Sequence, residues 1–160
     1  MVKGGLKVTT IHFDDFAPGQ VYPLGRRTLT REEIVAFARD WDPQPFHLDE
    51  QAAAGSIYGG LIASGWQTAC VFMRLFADGL LNRSAAMGSP GVDELRWLRP
   101  VRPGDTLDAR IEVLEVRPSR SKPDRGVVRL RSAMRNQQGE EVLSFTAHVM
   151  FGRRPADRRD

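Results

Sequence analysis

Residues Ser64–Gly79, SGWQTACVFMRLFADG, decide how the rest of the chain must be arranged. Ser64 and Gln67 have the spacing of a capping box, so a helix is expected to start there. Ala69, Cys70, Val71, Phe72, Met73, Leu75, Phe76 and Ala77 then cover nearly every side of it. A helix that is apolar all round has to be surrounded by other elements. Gly79 supplies its C-terminal stop.

The surrounding material is β. Leu107, Ala109, Ile111 and Val113 alternate with Asp108, Arg110 and Glu112, a strand pattern opened by the turn Pro103-Gly104-Asp105. Val127–Arg135 and Glu141–Phe151 flank Asn136-Gln137-Gln138-Gly139, a hairpin signal. In the last strand Leu143, Phe145, Ala147, Val149 and Phe151 form one apolar face, which leaves His148 on the other. Upstream, Val21–Leu29 reads as a strand kinked at Pro23 or Gly25. Thr30 and Glu33 form a second capping box, followed by Ile34, Phe37, Ala38 and Trp41 on one helix face, with Trp41 expected in the core. Asp49 can cap a short helix that closes at Gly55. The fold expected is α+β: an antiparallel sheet wrapped around the helix that starts at Ser64.

At 160 residues the chain is expected to form a single domain over 1–160, with a core of about 16–152 and loose ends in the first ten residues and Arg153–Asp160. Hydrophobic residues at 41% and charged residues at 27% exclude a disordered or fibrous class. No apolar run reaches the ~18 residues of a membrane helix, and Ala69–Leu81 is broken by Arg74, Asp78 and Gly79. With no apolar leader either, a cytoplasmic protein away from membranes is expected. The single cysteine, Cys70, excludes an internal disulfide and a thiolate zinc site, and it reads as a buried, inert thiol. His12, His47 and His148 are scattered and suggest no metal. Net charge is +3, with seven basic residues against one acid between Arg117 and Arg135. The absence of interleaved aromatics and of a helix-turn-helix pattern argues against nucleic acid. Phosphates on a small molecule would suit the same patch.

Asp42 and His47 frame a segment stiffened by Pro43 and Pro45, which is expected to run as an extended loop. A carboxylate beside an imidazole is a usable acid–base pair near neutral pH. The same spacing also fits a helix stop beside a surface histidine. The helix start at Ser64-Gly65 presents N–H groups without intrahelical partners, which suits an oxyanion site for a thioester or ester carbonyl. The alternative is that Gly59, Gly60 and Gly65 only let a loop pass tightly over the sheet.

Asp42-Pro43-Gln44-Pro45-Phe46-His47 resembles the Asp-x-Asn-Pro-x-His motif of MaoC-like enoyl-thioester hydratases. Ile62-Ala63-Ser64-Gly65 resembles that family's Ile-Ala-His-Gly segment, and Leu98–Asp105 its following strand and turn. The matches keep the family's order across Val21–Phe151. The resemblance implies a hot-dog fold, assembly as a homodimer or higher oligomer, and reversible syn addition of water to a trans-2-enoyl thioester, giving an (R)-3-hydroxyacyl thioester. It implies that Asp42 and His47 activate the water and that Gly65 N–H polarises the carbonyl. No cofactor is implied beyond coenzyme A, or an acyl carrier, on the substrate itself. Three positions depart from the pattern: Gln44 replaces asparagine, Ser64 replaces histidine, and Trp41 stands where glycine is frequent. Capping alone accounts for Ser64, while Gln44 leaves its contact to substrate or loop open. The alternatives are a thioesterase of the same fold, for which the helix offers only Asp78 near its far end, or a non-catalytic acyl-thioester-binding subunit.

Overall fold

The computed structural model describes residues 9–156, so the expectations for residues 1–8 and 157–160 lie outside the described residues. The elements are β1 (Val21–Thr28), α1 (Arg31–Trp41), α2 (Pro45–Leu48), α3 (Glu50–Ala54), α4 (Gly65–Gly79), β2 (Val92–Trp97), β3 (Thr106–Pro118), β4 (Arg125–Arg135) and β5 (Glu141–Gly152). The five strands form one antiparallel sheet in the order β1-β3-β4-β5-β2. The architecture is α+β, with α4 as the helix on which the sheet packs.

Local signals account for most of these elements. β1 slips register between Pro23 and Gly25, and Gly25 takes a φ of 109°, which a side chain would strain. Thr30 Oγ1 accepts from Glu33 N while Glu33 Oε2 accepts from Thr30 N, completing the capping box of α1. Asp49 caps α3 through Ala52 N, and the β4–β5 hairpin closes with Asn136 N donating to Glu140 O. Val71, Phe72, Leu75 and Phe76 of α4 join Leu107, Ile111, Leu130, Leu143 and Phe151 of the sheet in one core. The end of α4 presses on β1: a Cβ at Gly79 would lie 2.8 Å from Leu24 O and 2.9 Å from Leu24 Cα. Glycine is therefore needed there for close approach as well as for ending the helix.

Three expectations need correction. First, α4 is not enclosed, because one sheet covers one side of it; Trp66, Met73 and Cys70 are exposed, and Cys70 is not a buried thiol. Second, Trp41 is 75% exposed rather than in the core. The buried stripe of α1 is Ile34, Val35 and Ala38, and the helix ends at Trp41 with no further turn packed beneath it. Third, the core begins at Phe13 rather than at about residue 16, and Arg153 and Arg154 are tied down, while residues 9 and 10 are exposed. Phe13 and Phe16 are buried, and the Phe13 ring lies directly on Gly126. His12 N donates to Asp15 Oδ2, while Arg153 Nε and Arg154 N both donate to Asp14. Among the described residues no helix is long and apolar enough to cross a membrane.

Candidate active site

The site lies where α1 stops and α4 begins. Asp42 is the C-cap of α1, and its N–H donates to Ala38 O. The segment that follows is not extended throughout, as expected, because Pro45 starts a helix rather than stiffening a loop. Gln44 is the N-cap of α2 and Pro45 occupies its first turn, where a missing N–H has no cost. That single turn rotates His47 inward, and its side chain is 5% exposed.

His47 Nδ1 lies 2.8 Å from Ile62 O. A carbonyl only accepts, so Nδ1 carries the hydrogen, and a neutral ring keeps its lone pair on Nε2. Nε2 stands 3.2 Å from Asp42 Oδ2. Ser64 Oγ donates to Asp42 Oδ2 at 2.7 Å, and Gln44 Nε2 donates to Oδ1 at 2.7 Å. Burial is the largest influence on Asp42 and opposes ionisation. The hydrogen bonds from Ser64 and Gln44 outweigh it, joined by His47 only while that ring carries a charge, and lower the pKa from its ordinary 3.8. Asp42 is therefore a carboxylate at neutral pH.

Gln44 thus bonds the Asp42 carboxylate, its longer side chain reaching two residues back. Ser64 does more than cap. Its Oγ accepts from Trp66 N at 3.2 Å while donating to Asp42. The expected box with Gln67 does not form, because Gln67 Nε2 donates to Glu33 O and ties the start of α4 to α1.

Gly65 opens α4, so its N–H has no intrahelical acceptor. It lines a cleft of about 430 Å³ together with Asp42, His47, Tyr58, Trp66 and Trp97. A Cβ at Gly65 would lie 2.6 Å from Trp97 Cε2 and 2.7 Å from its Nε1. Trp97 Nε1 also donates to Gly65 O at 2.7 Å. The glycine is required by an indole packed on it, a neighbour that sequence reasoning missed. Trp97 sits 32 residues downstream, and no local pattern announces the contact.

Other candidates lie elsewhere. His148 Nε2 is 2.6 Å from Asp93 Oδ2, clasping β5 to β2 away from the cleft. Asp78 pairs with Arg74, and in the basic stretch Arg125 pairs with Asp124 and Arg131 with Glu141. Among the described residues no group of three or more His, Cys, Asp or Glu could hold a metal ion.

The MaoC like domain family matches residues 15–136. The MaoC-like dehydratase of Rhodospirillum rubrum superposes with a TM-score of 0.86 at 44% identity, over 91% of this chain and 99% of that one. The 3-hydroxybutyryl-CoA dehydratase of Methylorubrum extorquens is 29% identical over 138 residues, 86% of this chain and 81% of the relative. The mesaconyl-CoA hydratase of Cereibacter sphaeroides is 43% identical over 84 residues, 52% of this chain but only 23% of that protein. A five-stranded antiparallel sheet on a central helix, a match over most of its length and a near-complete structural counterpart lead to one conclusion: the chain belongs to the MaoC-like dehydratase domain family and has the hot-dog fold.

Proposed function

We propose that this protein is a hydro-lyase acting on coenzyme A thioesters in the cytoplasm. It adds water reversibly to a trans-2-enoyl thioester to give the (R)-3-hydroxyacyl thioester. The observation that carries the reading is the position of the Asp42–His47 pair in the same cleft as the free N–H of Gly65. The relatives named for hydratase and dehydratase activity support it.

Asp42 Oδ2 and a neutral His47 Nε2 are both acceptors 3.2 Å apart, and a water seated beside the pair, on the cleft side, donates to both. The water oxygen attacks C3 as its proton passes to Nε2. The imidazolium formed is steadied by Asp42 and by its Nδ1–H on Ile62 O. The thioester oxygen gathers charge as C2 becomes enolate-like, and Gly65 N–H donates to it. His47 then returns the proton to C2 on the face that received the hydroxyl, so the addition is syn and the dyad is regenerated. Ser64 and Gln44 hold the carboxylate in position throughout. Every group in this cycle belongs to the chain or the substrate, so the reading needs no cofactor or metal.

The test follows the loss of enoyl absorbance and free thiol together on a panel of trans-2-enoyl-CoA thioesters. Loss of absorbance without thiol is expected, with Asp42→Asn and His47→Gln each slower by on the order of 10²–10⁴. Thiol release would make the protein a thioesterase. Silence across the panel would leave a binding subunit.

A further inference from the structure

Beyond the reacting atoms lies a second space. A cavity of about 390 Å³ runs beside α4, walled by Ala69, Phe72, Phe76, Leu95 and Phe145 among others, and hardly any polar surface faces it. Its lining shares a single described residue with that of the catalytic cleft, Trp66. Trp66 is the second residue of α4, directly after Gly65. Its ring meets that of Trp97 edge-on, with centroids 5.2 Å apart and planes at 77°. Trp97 is itself fixed by its bond to Gly65 O and by the absence of a Cβ beneath it. The wall between the two spaces is therefore one indole braced by another.

We propose that Trp66 determines the acyl-chain specificity of the site, closing the catalytic cleft off from the apolar cavity so that the protein selects short acyl chains. The inference rests on the thioester reading above and goes further by naming the substrate subclass and the residue that sets it. An acyl tail extends past C3, away from the dyad and the Gly65 N–H. The apolar volume that could receive it lies behind Trp66. Each methylene admitted there would favour binding by about fourfold, so a barrier at this point separates crotonyl from octenoyl substrates by far more than a change in cleft polarity would.

The experiment compares kcat/KM for crotonyl-CoA and trans-2-octenoyl-CoA in the wild type, Trp66→Ala and the double variant Trp66→Ala, Ala69→Phe. The octenoyl-to-crotonyl ratio is expected to be well below one in the wild type. It should rise at least about tenfold in Trp66→Ala and fall back when phenylalanine fills the cavity from position 69. Trp66→Leu, expected to give an intermediate ratio, serves if the alanine variant does not fold. Calorimetric binding of butyryl-CoA and octanoyl-CoA provides the same ratio without turnover. If no enoyl thioester is hydrated but the binding ratio switches as described, the hydratase reading fails and the role of Trp66 stands. If crotonyl-CoA is hydrated and the ratio is unmoved in folded Trp66 variants, the role of Trp66 is overturned. Failure of both acyl-CoAs to bind would overturn it as well.

Discussion

Asp42 governs the acid sensitivity of the site. A group whose folded pKa is lowered contributes stability that is fully present above its unfolded value and is lost as pH falls through the folded one. Ser64 Oγ is one of the donors that lower Asp42. In Ser64→Ala the Asp42 pKa rises, so acid unfolding should begin at higher pH than in the wild type. Losing the cap of α4 removes about 1 kcal/mol at every pH and moves the acid onset by itself. The carboxylate is isolated by denaturant unfolding at a series of pH values: its part of the Ser64→Ala stability loss is present at neutral pH and disappears as pH falls through the folded Asp42 pKa. A loss of the same size at every pH would show that the hydroxyl does not act on Asp42. Gly65→Ala is the complementary test at the other side of the cleft. Its Cβ would collide with the Trp97 indole, which must swing away and release Gly65 O. We expect kcat/KM to fall by about 10², while a folded, fully active alanine variant would contradict the packing. That Asp42, His47 and Gly65 line one cleft was foreshadowed in the sequence by the helix start at Ser64-Gly65 and by the motif resemblance, both local features. Trp97 was not, since its role depends on β2 arriving across the first turn of α4. Ser64 was read only by half, since its bond to Asp42 spans 22 residues.

Individual elements show the same division. Thr30→Ala should cost about 1 kcal/mol, measured as a lower denaturant midpoint with unchanged m, because both halves of the box that starts α1 are made. An unchanged midpoint would mean that tertiary packing alone holds that helix. The capping box of α1, the Asp49 cap of α3, the kink in β1 and the β4–β5 turn were readable because each is decided within a few residues. The box expected at Ser64 and Gln67, by contrast, gave way to a tertiary bond from Gln67 to Glu33 O. Trp41 and Cys70 were misread because burial depends on what another element covers, and helical spacing cannot report the absence of a neighbour. The strand β2 was hidden for a different reason. Val92-Asp93-Glu94-Leu95-Arg96-Trp97 lacks clean alternation, its register shifts between Asp93 and Arg96, and Glu94 sits at a φ of 52°. A bulge interrupts the two-residue period by which a strand is recognised.

For the whole molecule, β2 is the informative edge. Among the described residues it pairs only with β5 and leaves its other side unpaired, and Val92, Trp97 and Leu98 are about half exposed along it. An open apolar edge invites pairing with another strand. The expected partner is a second copy, giving a homodimer by sedimentation velocity, and Val92→Lys should shift the protein toward monomer. A wild type that sediments as a monomer at micromolar concentration would refute this. Sequence order alone conveyed the overall plan, because an all-apolar helix followed by long alternating strands has few ways to bury itself. The same text says nothing about which face of α4 the sheet leaves bare.

The two facing indoles also give the protein an optical signal of its own. Of its three tryptophans, Trp66 and Trp97 bracket the cleft and Trp41 stands in solvent. In a Trp41→Phe background all tryptophan emission, excited selectively on the red edge, comes from that pair, so occupancy of the cleft can be followed by fluorescence without labelling the protein. Edge-to-face indoles at 5.2 Å should also couple their transitions, giving a near-ultraviolet dichroism band that vanishes when either ring is replaced.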